Sequence, residues 1–184
     1  EKDQGQYDDF STCFWASGSS LFIERKVFLE LGGLDEDFFA HMEEIDLCWR
    51  IWNAGYQVGV CPESKVYHVG GGTLDKSKPK KTYLNFKNGL NILLKNESPK
   101  ALIWKIPIRI FLDYIAAIKF SIQSGPQHGF AILRAHFAVL FKLTKTLNKR
   151  KQLQKRKQKA FPLFRGMIAI LYFFSRKRYF SQIK

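Results

Sequence analysis

The charges of this chain are segregated along its length. Residues 1–75 carry 5 Lys/Arg and 14 Asp/Glu, a balance of −9, whereas residues 76–184 carry 25 Lys/Arg with only Glu97 and Asp113, a balance of +23. An acidic part joined to a strongly basic part marks a functional boundary, and it predicts that the two meet different partners. At 184 residues and 46% hydrophobic content, the chain can build one sizeable core with an appendage. Cys13, Cys48 and Cys61 are odd in number and lack metal-ligand spacing, which reads as reduced thiols in a cytosolic setting. The first ten residues, EKDQGQYDDF, have neither the basic start nor the apolar run of a signal peptide. They also lack an initiator Met, so the chain reads as a piece of something longer.

In the acidic part, residues 16–23 read as a small-residue turn entering a short buried strand. ERKVFLELGG predicts a short helix with Val27, Phe28 and Leu31 on one face, stopped by Gly32 and Gly33. A second helix starts at Glu43: Ile45, Cys48, Trp49 and Trp52 form an apolar stripe, Asp46 and Arg50 pair at i, i+4, and Gly55 ends it. Residues 56–60 and 65–69 read as strands around Pro62, and Gly70–Gly72 as a mobile loop. In the basic part, residues 82–95 read as helical apart from Gly89, 101–122 and 128–143 as mostly apolar helices punctuated by charge, 142–159 as a solvated basic run, and 164–174 as apolar again. Lys105, Arg109, Asp113, Lys119 and Pro107 argue against a membrane span in 101–122. Lys105, Arg109 and Asp113 drift slowly around the helix and make one polar edge. That fits a helix lying in a membrane interface or packed on a protein core.

Glu43, Glu44 and Asp46 crowd into four positions at the start of the second helix. Helix capping accounts for such a cluster at roughly 0.3–1 kcal/mol per carboxylate. A carboxylate at a helix start facing a cleft is equally placed to act as a general base. His68, just before Gly-Gly-Gly-Thr, reads as a structural histidine at a strand end or as a ligand or phosphate contact.

The stretch WASGSSLFIERKVFLELGGLDEDFFAHMEEIDLCWRIWNAGYQVGVCPESKVYHVGGGT resembles the C-terminal half of the catalytic domain of family 2 glycosyltransferases, in particular the rhamnosyltransferase-like branch. The resemblance covers residues 13–74 and continues more loosely beyond. It implies an α/β chain: a partial GT-A, Rossmann-like domain over residues 1–98, then a mainly helical, basic, amphipathic region over 99–184. It implies an inverting transfer from a nucleotide-sugar donor to a saccharide or lipid-linked acceptor, in cell-surface polysaccharide or lipopolysaccharide synthesis. Glu44 matches the carboxylate that serves as base, with Glu in place of the usual Asp, and Glu43 supports it. Trp15, Ser17 and Gly18 match the stretch lining the sugar and acceptor side, and Asp46 stands among these substrate-binding positions while pairing with Arg50. His68 matches a ligand of the divalent metal, Mg2+ or Mn2+, on the diphosphate. The nucleotide-binding half and its D-x-D motif have no counterpart here. The resemblance thus implies a fragment that is inactive alone, the metal being held mostly by the missing half.

For the basic part, alternating apolar helices and Lys/Arg clusters fit attachment to an anionic membrane surface at the cytoplasmic face of the bacterial inner membrane. A solvated helical tail is the plain alternative. No base-reading motif accompanies the KRKQLQKRKQK run, so nucleic acid is not expected as a partner. A non-catalytic membrane-associated scaffold derived from a transferase is the competing function.

Overall fold

The structure, a computed structural model, describes residues 4–68, 78–155, 168–173, 175–176, 179 and 182. Two short strands, β1 (Ser11–Thr12) and β2 (Gly59–Val60), pair antiparallel with Ser11 opposite Val60 and Thr12 opposite Gly59. The Cys13 N–H donates to the Val58 carbonyl at 3.0 Å and extends the ladder by one bond. Between them lie α1 (Arg25–Glu30), a 3-10 turn (Glu36–Phe38) and α2 (Glu43–Asn53). The basic part is helical: α3 (Pro79–Asn96), α4 (Pro99–Ser124), α5 (Pro126–Phe141), α6 (Leu143–Lys155) and α7 (Ile168–Phe173).

Local chemistry accounts for the breaks. Pro79, Pro99 and Pro126 each open a helix, where a missing N–H costs nothing. Gly125 (φ 101°) followed by Pro126 separates α4 from α5, a conformation an L side chain rarely adopts. The helix expected within residues 24–33 is present as Arg25–Glu30, that expected from Glu43 to the stop at Gly55 as Glu43–Asn53, and helices cover the segments 82–95, 101–122 and most of 128–143. The strands are fewer than expected. Residues 16–23 and 65–68 are irregular, and of the 56–60 run only Gly59–Val60 forms a strand, with Val58 adding the one bond from Cys13. A strand needs a neighbour to satisfy its backbone, and β1 offers two residues. The run at 142–159 is a helix over 143–155. Residue 69, the Gly70–Gly72 loop and the start of the 164–174 segment fall outside the described residues.

Two small cores meet along α2. Val27, Leu47, Cys48, Ile51, Trp52 and Val58 join α1, α2 and the ladder, and Phe38, Trp49 and Ile92 join the acidic loop, α2 and α3. In the helical part the α4–α5 contact is built from small groups: a Cβ on Gly129 would lie 3.0 Å from the Ala117 carbonyl oxygen and 2.0 Å from the Ser121 hydroxyl. No described helix is long and apolar enough to cross a membrane.

The charge division is partly internal. Asp35 and Asp37 of the acidic loop pair with Lys95 of α3 and with Lys145 and Lys149 of α6 (Lys95–Asp35 2.5 Å, Lys149–Asp35 2.6 Å, Lys145–Asp37 2.6 Å). The two parts therefore meet each other as well as whatever else they bind.

A half-buried carboxylate pair on a strained loop

The acidic loop enters α2 through backbone that few residues tolerate. Phe39 (φ 63°, ψ −56°) sits in a γ-turn of the strained positive-φ form, closed by the Ala40 N–H donating to the Phe38 carbonyl at 2.7 Å. His41 (φ 68°) and Met42 (φ 71°) follow in the left-handed region, and Met42 is the helix N-cap without a capping side chain. Each such residue costs on the order of 1–3 kcal/mol and persists only where its surroundings over-determine it.

Those surroundings are identifiable. Phe38 is 1% exposed, wedged against Trp49 and Ile92, with the Lys95 ammonium 5.0 Å from its ring centroid. The fully buried Asn88 of α3 places its amide nitrogen within reach of three loop carbonyls: Phe38 (3.0 Å), Ala40 (2.9 Å) and His41 (2.7 Å). Lys87 donates to the Asp37 carbonyl at 2.9 Å.

This loop presents Glu43 and Glu44 at the first turn of α2, both half-buried. Among the described residues, Glu43 Oε2, Glu44 Oε2 and His41 Nε2 are buried without a hydrogen-bond partner. Three orphaned polar atoms from adjacent residues are costly unless something else engages them. Burial raises the Glu44 carboxyl above its ordinary value, and the neighbouring Glu43 charge adds to this; backbone hydrogen bonds and His41 offset part of the rise. A carboxylate so raised is a better proton acceptor than an exposed one.

The structure brings part of the expected site together. A Cβ on Gly18 would lie 3.8 Å from the Glu44 Cβ, so the 17–18 turn borders the carboxylate. The Ser17 hydroxyl lies 3.0 Å from that of Ser19. Trp15, partly exposed, and Ser17 line a cleft of about 570 Å³ with Val58 and Val60.

Asp46 faces the other way. It is wholly buried, and its oxygens accept from Arg50 Nε (2.9 Å), Lys95 Nζ (3.0 Å) and Asn96 Nδ2 (2.9 Å). Arg50 completes the knot by donating to the carbonyls of Leu31 (2.6 Å) and Gly33 (2.7 Å), which fixes the end of α1. Asp46 thus works inside the fold, as the i, i+4 spacing indicates, and offers no oxygen to a substrate.

His68 is exposed in irregular chain. Among the described residues no three His, Cys, Asp or Glu side chains converge as metal ligands. The described residues do not make a metal centre by themselves. Sequence reasoning missed Asn88, His41, Lys95 and Asn96. Asparagines at 88, 91 and 96 within one apolar-faced helix are the available signal, since Asn is a poor helix former and a buried one needs partners.

Comparison with known proteins adds a class of chemistry. Over 54 residues the chain is 41% identical to the N-acetylglucosaminyl-diphospho-decaprenol L-rhamnosyltransferase of Mycobacterium tuberculosis, which covers 29% of this chain and 18% of that protein. Over 76 residues it is 32% identical to the low-salt glycan biosynthesis hexosyltransferase of Haloferax volcanii, covering 40% of this chain and 24% of that protein. The match spans about a fifth of the length of these curated relatives. No family model matches the chain, and no solved structure matches it. Both relatives are named as sugar transferases, which supports a glycosyltransferase relationship for the matched part.

Proposed function

We propose that this chain is the acceptor-side part of an inverting, nucleotide-sugar-dependent glycosyltransferase of family 2, with Glu44 as the general base. The observation that carries the reading is the Glu44 carboxyl: half-buried, raised by burial, with an unpartnered oxygen, on a strained loop beside the Gly18 turn. In the reaction an acceptor hydroxyl oxygen bonds to the anomeric carbon while the bond from that carbon to the nucleotide diphosphate breaks. Glu44 takes the hydroxyl proton, and Glu43 holds the acceptor. Trp15 and the cleft it lines receive the sugar. The β1–β2 ladder and α2 belong, in this reading, to the edge of a GT-A domain whose nucleotide-binding strands come from elsewhere in the protein. The acceptor is a saccharide or a lipid-linked saccharide, in keeping with the polyprenol-linked substrate in the name of the mycobacterial relative.

The test is the enzyme that contains this segment, carrying Glu44→Gln. Loss of a general base lowers kcat on the order of 10²–10⁴-fold, with donor KM little changed and native circular dichroism retained. Wild-type turnover in that variant would remove Glu44 from the role.

A further inference from the structure

Helix α4 is amphipathic the wrong way round for a soluble bundle. Its charged edge is turned inward: Arg109 donates to Asp113 at 2.6 Å, Asp113 also meets His136 of α5 at 3.0 Å, and Lys105 pairs with Glu97 at the end of α3. Asp113 is 3% exposed. Its apolar side faces out. Trp104, Ile108, Phe111, Ile115, Ile118 and Ile122 follow one another at i+4 and i+3 steps along the helix, and all are exposed, Ile122 by 81%. Helix α5 adds Phe130, Phe137, Leu140 and Phe141, also exposed. Tyr114, half-exposed, stands edge-on to His136 across the α4–α5 seam, ring centroids 5.7 Å apart, and puts a further aromatic at the junction of the two helices. Monomers rarely expose contiguous apolar area on this scale, and when they do it marks a contact.

Charge identifies the occupant. Residues 78–155 contain 16 Lys/Arg against Glu97 and Asp113, and both of those carboxylates are buried in ion pairs. Among the described residues, the helical part therefore exposes Lys100 and Lys119 on the same helix as its apolar row and no side-chain carboxylate. A second copy docked symmetrically through this face would bring the same patch against itself, cation against cation. An anionic lipid surface answers both features at once: acyl chains take the apolar row and headgroups take the cations.

We propose that the outward face of α4 and α5 docks this protein in the plane of an anionic phospholipid bilayer, without crossing it. The inference does not depend on the transferase reading. The test is co-sedimentation of the full chain with vesicles of phosphatidylcholine alone or with one-third phosphatidylglycerol. Binding to the anionic vesicles is expected to be at least tenfold tighter and to weaken as salt rises. Ile115→Glu with Ile118→Glu lowers it at least tenfold with unchanged far-ultraviolet circular dichroism. Lys100→Gln with Lys119→Gln, which leaves the apolar row intact, lowers it about threefold and flattens the salt dependence. Failure of the wild-type chain to bind anionic vesicles overturns the proposal. So does a stable dimer that the double-Glu variant dissociates while vesicle binding is unchanged.

Discussion

At the residue scale, Glu44 carries opposite consequences for activity and stability. Its folded carboxyl holds a proton more tightly than the unfolded chain does, because burial disfavours the charge. The stabilising contribution of that proton is complete below the ordinary value of 4.5 and is lost as pH rises through the raised folded value. Glu44→Gln is therefore expected to melt at a higher temperature than the wild type at pH 7, and the gain to shrink toward pH 4, as followed by calorimetry. A capping carboxylate would show the reverse. Asn88 gives a second residue-level prediction. Asn88→Ala leaves three loop carbonyls without their buried donor and should cost about 2 kcal/mol in urea titration, with faster amide exchange across residues 38–42. The crowding of Glu43, Glu44 and Asp46 at one helix start was legible in the sequence because these residues are neighbours in the chain. Asn88 was not, because the carbonyls it serves lie 47 to 50 residues away and nothing near it in the chain declares them.

At the level of elements, the joint between α2 and α3 rests on a buried charge cluster. Lys95 answers both Asp46 and Asp35, so Lys95→Met takes a cation from each, leaving Asp46 to Arg50 and Asn96 and Asp35 to Lys149. Removing the only partner of a buried charge costs roughly 3–5 kcal/mol; with Arg50, Asn96 and Lys149 still in place the loss should be smaller and appear as a lowered urea midpoint. The helices themselves were readable: the stripe on α2, its Asp46–Arg50 pair and the stop at Gly55 are all properties of a short window. For α4, periodicity disclosed a polar edge but not its direction. The edge turns inward because Glu97 and His136 wait there, and those belong to other helices. The strands read least well, since alternation in 65–68 has no pairing partner among the described residues.

For the whole molecule, the acidic loop acts as a counterion for the basic helices. Burial alone would raise Asp35, but hydrogen bonds from Lys149 and Lys95 outweigh it and hold the carboxyl well below the usual range. Asp37 is lowered in the same way by Lys145 and Lys149. Depressed carboxyls stabilise the fold above their ordinary value of 3.8 and lose that contribution as pH falls toward their folded values. Acidification below about pH 4 should thus free α6 early, seen as loss of exchange protection in residues 143–155 ahead of global unfolding. The α4–α5 crossing has a different kind of control. At Gly129 the helices approach so closely that a methyl group would meet the Ala117 carbonyl and the Ser121 hydroxyl. One absent carbon therefore sets the pitch at which two rows of apolar side chains lie side by side. Gly129→Ala acts as a wedge: it leaves every exposed residue in place yet tilts one row against the other.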